Sequence, residues 1–270
     1  MQLFVVLGTG LRNQPAGWRS PGALTIGRVF DPQLTSRPAQ PHEETTPATG
    51  AAPAPGRPPL RGVVADWGGV MTNPIAETVR AWIAADEIEY SSYHAVMKAW
   101  VTGAYDGAGE DNPIHVLERG ECSDEEFERM LAAQIVRRDG NPVTAAGLLD
   151  RMFAATVLSE PMQDLLRRVR AAGLKTAMLS NSWGVGIYPA DVLAELFDAV
   201  VISAEVGMRK PEERIFRHAV GLLGLDPAEC VFIDDIEANV QAAEALGMTG
   251  VLHTDAAATA GRLAELLGLS

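Results

Sequence analysis

From Gly62 onward the chain alternates short apolar runs with amphipathic stretches, and that alternation restricts the fold more than any other feature. The runs are Gly62 to Ala65 (GVVA), Thr176 to Leu179 (TAML), Ala199 to Ile202 (AVVI), Cys230 to Ile233 (CVFI) and Gly250 to Leu252 (GVL). They are continuous rather than alternating and rich in Val and Ile, which is how strands covered on both faces read. Between them lie helical patterns with clear punctuation. Pro161 opens one that closes at Gly173, Pro211 opens another that closes near Gly221 to Gly224, and a third runs from about Glu237 to Leu246 and stops at Gly247. Strand and helix in alternation predict an α/β fold, a doubly wound, Rossmann-like parallel sheet with helices on both sides.

The stretch 75–155 breaks the rhythm because it contains no comparable strand. It offers helices over Ala76–Ala85, Ser92–Val101, Asp124–Arg138 and Pro142–Ala154, with Ser123 and Glu126 forming a capping box for the third. The expected organisation is therefore a core made of 61–74 and 156–270, with a helical cap subdomain, 75–155, inserted after the first strand. Residues 1–60 differ again, holding ten of the 17 prolines among Ala, Thr and Gly without periodicity. Such a segment cannot bury enough apolar surface to offset its ordering entropy, and disorder is expected there.

Charge follows the same division. Residues 1–60 carry five Arg against three acids, so the net −13 of the chain leaves −15 on the remaining 210 residues. A body of that size buries roughly 70% of its unfolded surface and needs no staple. Its negative field repels polyphosphate backbones, which argues against a nucleic-acid partner, and repels small phosphate esters unless a cation offsets it. Cys122 and Cys230 are too few and too far apart for a disulfide framework or a structural zinc site, as expected of a reducing, cytoplasmic setting. No run of about 18 apolar residues suggests a membrane span, and Leu3 to Leu7 is too short for a secretory signal.

In an open parallel sheet, ligands sit beyond the carboxyl ends of the strands. After GVVA comes Asp66-Trp67-Gly68-Gly69-Val70; TAML leads into Ser180-Asn181-Ser182, and CVFI into Asp234-Asp235. Shortly after AVVI, at the start of the helix expected from Pro211, stands Arg209-Lys210-Pro211. Four segments thus deliver three carboxylates, a hydroxyl and a cation to one edge. Converging carboxylates raise one another's pKa, and a hard dication such as Mg²⁺ removes that penalty. The set suits phosphoryl transfer to a carboxylate, with Lys210 and the Ser180 hydroxyl on the phosphoryl oxygens.

These four segments, taken in their order along the chain and with helices after the first, resemble the four motifs of the haloacid dehalogenase superfamily. The likeness is to the phosphatase branch similar to the N-terminal domain of bifunctional epoxide hydrolases, and it covers 62 to about 255. The resemblance implies a Mg²⁺-dependent phosphohydrolase acting on a small phosphorylated substrate. By position, Asp66 matches the nucleophile and the Gly68 carbonyl a backbone metal ligand. Ser180 matches the hydroxyl that binds phosphoryl oxygen, and Lys210 the lysine that stabilises the nucleophile and phosphoryl charge. Asp235 matches the metal-binding acid, with Asp234 beside it as an orienting neighbour. Asn181 and Asn239 fall where the branch shapes its substrate site.

The sequence departs from the family's phosphatases at Gly68, where a second Asp usually serves as acid and base, a role that contributes ~10²–10⁴ in rate. Three readings stay open: a surrogate acid such as Asp234 or a cap residue, substrates whose leaving group needs little protonation, or a module that binds a phospho-ligand or partner without turnover. A metal-independent haloacid dehalogenase tolerates the loss, although the Asp234-Asp235 pair speaks against it. His94, His115, His218 and His253 share no metal-type spacing, and Cys122 has no basic neighbour to activate it. Substrate identity and oligomeric state are not legible.

Overall fold

The computed structural model describes residues 58–105, 112–183 and 188–269; the segment 1–57, most of the stretch expected to be disordered, lies outside the described residues. All five apolar runs are strands: β1 Gly62–Ala65, β2 Lys175–Ser180, β3 Ala199–Ile202, β4 Cys230–Asp234 and β5 Thr249–Leu252. They form one wholly parallel sheet in the order β3-β2-β1-β4-β5. The described helices are α1 Ile75–Ala85, α2 Tyr90–Tyr105, α3 Pro113–Glu118, α4 Asp124–Ala132, α5 Leu148–Met152, α6 Glu160–Ala171, α7 Ala190–Leu196, α8 Ser203–Val206, α9 Glu213–Leu222, α10 Glu237–Ala245 and α11 Ala256–Leu267.

The sheet is apolar on both faces because helices cover both. Val63, Ala65, Met178, Val231 and Ile233 point to one side, into a core shared with α6, α11 and the helices between β1 and α6. Val64, Ala177, Leu179 and Phe232 point to the other, against α9 and α10. Each fully enclosed Val or Ile contributes about 1.5–3 kcal/mol, so the central strand is held from both layers. Strand order reverses at β1, which opens a crevice between β1 and β4 at their carboxyl ends. Ala65 pairs in register with Ile233, and the Asp66 amide donates to the Ile233 carbonyl at 2.9 Å, so Asp66 and Asp234 emerge side by side.

Three helices differ from expectation, two of them because a tertiary partner claims the backbone. α4 keeps the Ser123–Glu126 capping box but stops at Ala132, not Arg138. Beyond it, Val136 accepts from the Glu89 amide and the Arg138 amide donates to Glu87, so extended pairing replaces another helical turn. The helix expected over Pro142–Ala154 shrinks to α5, whose first turn is capped from α4: the buried Glu128 carboxylate accepts from the amides of Gly147 and Leu149 at 3.0 Å each. The helix after Pro211 begins only at Glu213, which leaves Lys210 in the preceding turn behind a cis Lys210–Pro211 bond. Among the described residues, no helix is long and apolar enough to cross a membrane.

Candidate active site

The carboxyl ends of β1, β2 and β4 and the turn before α9 bring Asp66, Ser180, Lys210, Asp234 and Asp235 together. The Lys210 ammonium lies 2.7 Å from Asp66 Oδ1 and 2.7 Å from Asp234 Oδ2, and all three side chains are wholly enclosed. The carboxylates of Asp66, Asp234 and Asp235 offer oxygens within 4.8 Å of one another. Three acids against one ammonium leave two negative charges uncompensated, and each buried ion costs several kcal/mol without a partner. Burial pushes the Asp66 carboxyl up to about 7, with Lys210 pulling it down and Asp234 adding to the rise. Burial likewise raises Asp235 well above the ordinary carboxylate range, helped by Asp234 and Asp66. Lys210 responds in the opposite sense: burial alone would lower it, but the carboxylates of Asp234 and Asp66 hold it above its usual value.

The three acids are not equivalent. Asp234 accepts from Lys210 Nζ, from the Ile236 amide at 2.8 Å, and from Asn239 Nδ2 at 3.1 Å on each oxygen. Its lone pairs are thus filled by protein donors. Asp66 Oδ1 accepts from Lys210 and from the Trp67 amide at 2.7 Å, whereas Asp66 Oδ2 and Asp235 Oδ1 are buried with no hydrogen-bond partner. Those two oxygens are an unfilled acceptor pair of the kind a hard oxygen-seeking cation occupies. Gly69 makes the approach of Asp235 feasible: its φ is +77°, and a Cβ there would lie 2.9 Å from Asp235 Cγ.

Asn181 and Asn239 sit in the site, but their amide NH₂ groups point at protein. Asn181 Nδ2 donates to the Lys210 carbonyl at 3.0 Å while its Oδ1 accepts from the Lys210 amide at 2.7 Å, a two-way clamp on the lysine's backbone. Asn239 braces Asp234. Ser180 Oγ accepts from the Tyr188 hydroxyl at 3.1 Å, and the Tyr188 ring packs edge-on to Trp67 at 5.4 Å. Trp183 is buried between Phe127 and Phe153 of the helical insertion. Burial pushes the Cys230 thiol up to about 12, with Glu229 adding, and raises Cys122 as well, so neither suits a nucleophile.

Several contributors are invisible in the sequence. Glu118, at the end of α3, is buried and pairs with Arg209 while accepting from Trp183 Nε1 at 3.3 Å. The next residue, Arg119, pairs with Glu212 at 2.8 Å, so consecutive residues of the insertion bracket Lys210 and Pro211. Gly120 permits this docking, because a Cβ there would meet the Ala204 carbonyl at 2.6 Å. The Arg-Lys-Pro segment is visible in the sequence, but no local pattern marks Glu118 as the partner of Arg209 or Tyr188 as the neighbour of Ser180.

Comparison with known proteins agrees with this geometry. A family model described as haloacid dehalogenase-like hydrolase matches residues 60–247. A sesquiterpene phosphatase of Aspergillus oryzae is 30% identical over 156 residues, which cover 56% of this chain and 78% of that protein. Bifunctional epoxide hydrolase 2 of Rattus norvegicus is 29% identical over 128 residues, 45% of this chain; the chain spans only 23% of that relative. In fold, the chain is similar to a crystal structure of a HAD family enzyme from Bacteroides thetaiotaomicron, with a TM-score of 0.51 and 23% identity over 72% of this chain and 94% of that one.

Proposed function

The chain belongs to the haloacid dehalogenase-like hydrolase family, and from that premise we propose that it is a Mg²⁺-dependent phosphohydrolase of small phosphorylated substrates with Asp66 as its nucleophile. The observation that carries this reading is the pair of buried, partnerless oxygens, Asp66 Oδ2 and Asp235 Oδ1, beside a lysine already shared by two other carboxylate oxygens. A metal-independent dehalogenation needs no cation between those oxygens, so the pair speaks against that alternative. Phosphatase names among the relatives point the same way.

Asp66, Asp235 and the Gly68 carbonyl would hold the ion, which supplies charge neutralisation and polarises a phosphoryl oxygen. The rest is work for the chain. The Asp66 carboxylate attacks phosphorus, a carboxylate–phosphorus bond forms as the bond to the leaving oxygen breaks, and water then cleaves the aspartyl-phosphate. Lys210 neutralises the nucleophile before attack and the phosphoryl oxygens during it, held in place by the Asn181 clamp. The Ser180 hydroxyl donates to a second phosphoryl oxygen. Asp234 positions Lys210; three donor groups make four hydrogen bonds to its two oxygens, which makes it a poor surrogate acid. Acyl and aryl phosphates, whose leaving oxygens are weak bases, therefore fit the site best. The helices between β1 and α6 serve as the cap that selects among them.

The test is purified protein with and without Mg²⁺, offered a panel of phosphate esters and 2-haloacids, with Asp66→Asn as control. Metal-dependent phosphate release, lost in the variant, is the expected result. Halide release without metal would overturn it in favour of dehalogenation, and binding without release in favour of a phospho-ligand module.

A further inference from the structure

We propose that Tyr188 is a positioning residue for phosphoryl recognition, acting through Ser180. The inference rests on the phosphohydrolase reading above and extends it to a residue outside the four motifs. Ser180 is wholly buried at the end of β2, and its hydroxyl has one proton and two lone pairs to place. Tyr188 stands 3.1 Å from Ser180 Oγ. A phenol is the stronger donor and the weaker acceptor of the two, so the hydrogen bond runs from Tyr188 into a serine lone pair. The serine proton must then go elsewhere. Its acceptor among the described residues, the Asn181 carbonyl, is 3.5 Å away, too long to hold it. The Ser180 O–H is therefore free to donate, and donating while accepting from Tyr188 strengthens both bonds.

The tyrosine is itself fixed. Its ring packs edge-on against Trp67, whose backbone amide holds Asp66 Oδ1. One aromatic contact thus ties the serine's donor to the peptide that carries the nucleophile. Burial keeps the phenol protonated, its pKa pushed up to about 12, so the donor persists through the neutral range.

The experiment compares wild type, Tyr188→Phe, Ser180→Ala and the double variant, measuring inorganic phosphate binding by calorimetry in the presence of Mg²⁺ together with KM and kcat for an aryl phosphate. Phenylalanine keeps the ring against Trp67 and removes only the hydroxyl, so thermal stability serves as the check on folding. Tyr188→Phe is expected to weaken phosphate binding and kcat/KM by about tenfold, with no further loss when added to Ser180→Ala. Unchanged phosphate binding in Tyr188→Phe, or losses that multiply in the double variant, would overturn the role of Tyr188 alone. Wild-type protein that binds no phosphate would overturn the reading of the site and this inference with it.

Discussion

At Gly68 the chain carries a hydrogen where phosphatases of this family usually place a carboxylic acid, and the neighbouring residue shows how little room the turn allows. Gly69 adopts φ +77° and lies against the Asp235 carboxylate, so the Gly68-Gly69 pair is a packing requirement at its second position and a chemical omission at its first. Two predictions separate those roles. Gly68→Asp restores the missing acid and is expected to raise turnover of alkyl phosphates relative to aryl phosphates; equal or lower alkyl rates in a folded, metal-loaded variant would refute the assignment. Gly69→Ala forces an L-residue into the left-handed region at about 1–2 kcal/mol and displaces Asp235. Calorimetric titration with Mg²⁺ should show affinity reduced by tenfold or more, and wild-type affinity would remove Asp235 from the ligand set. Asp66, Ser180, Asp234 and Asp235 are legible in the sequence because they stand at the ends of apolar runs, and Lys210 because it precedes the Pro expected to open a helix. Tyr188 and Glu118 are not, because a residue's neighbour across the fold leaves no mark on its own segment.

The elements show how the helical insertion is tied to the motif segments. The loop after β2 sends Trp183 between Phe127 and Phe153, and the turn before α9 sends Arg209 to Glu118, so the helical insertion grips both segments that present phosphoryl-binding groups. The Glu118–Arg209 pair has side chains only 3% exposed on each side. Removing one partner of such a pair leaves a buried charge, and Glu118→Ala is expected to cost about 3–5 kcal/mol in urea unfolding. Glu118→Ala with Arg209→Met should recover much of that loss; a double variant as unstable as the single one would mean that packing, not charge, dominates. Strand positions were readable to within a residue or two because a run buried on both faces has no alternative use. Helix ends in the insertion were not: α4 and α5 stop or start where Glu89, Glu87 and Glu128 claim backbone groups from a distance.

For the molecule as a whole, the acidic balance acquires a location. Part of the −15 carried beyond residue 60 is concentrated in three acids around one lysine, where burial lifts Asp66 from its ordinary 3.8 to about 7. Folding therefore favours the protonated carboxyl, a contribution that is full below about pH 4 and lost as pH rises through about 7. A dication needs the ionised form, so protons compete with it over the same interval. The rise in melting temperature produced by saturating Mg²⁺ is expected to grow from about pH 5 to about pH 8; a flat or falling increment would exclude Asp66 from metal binding. A chain shortened to begin at residue 58 should retain metal-dependent activity, since the family match begins at 60 and β1 at Gly62; its loss would place residues 1–57 in the working protein.

The amino-acid order alone determined the strands, their parallel sense and the edge where the polar groups collect, because those follow from local apolarity and from the handed connection of strand to helix. Only the tertiary structure decided which carboxylate oxygens are filled and which are left open. That distinction depends on donors brought from Lys210, Ile236 and Asn239 to distances near 3 Å, and pairing at that range is a property of the packed fold rather than of any one segment.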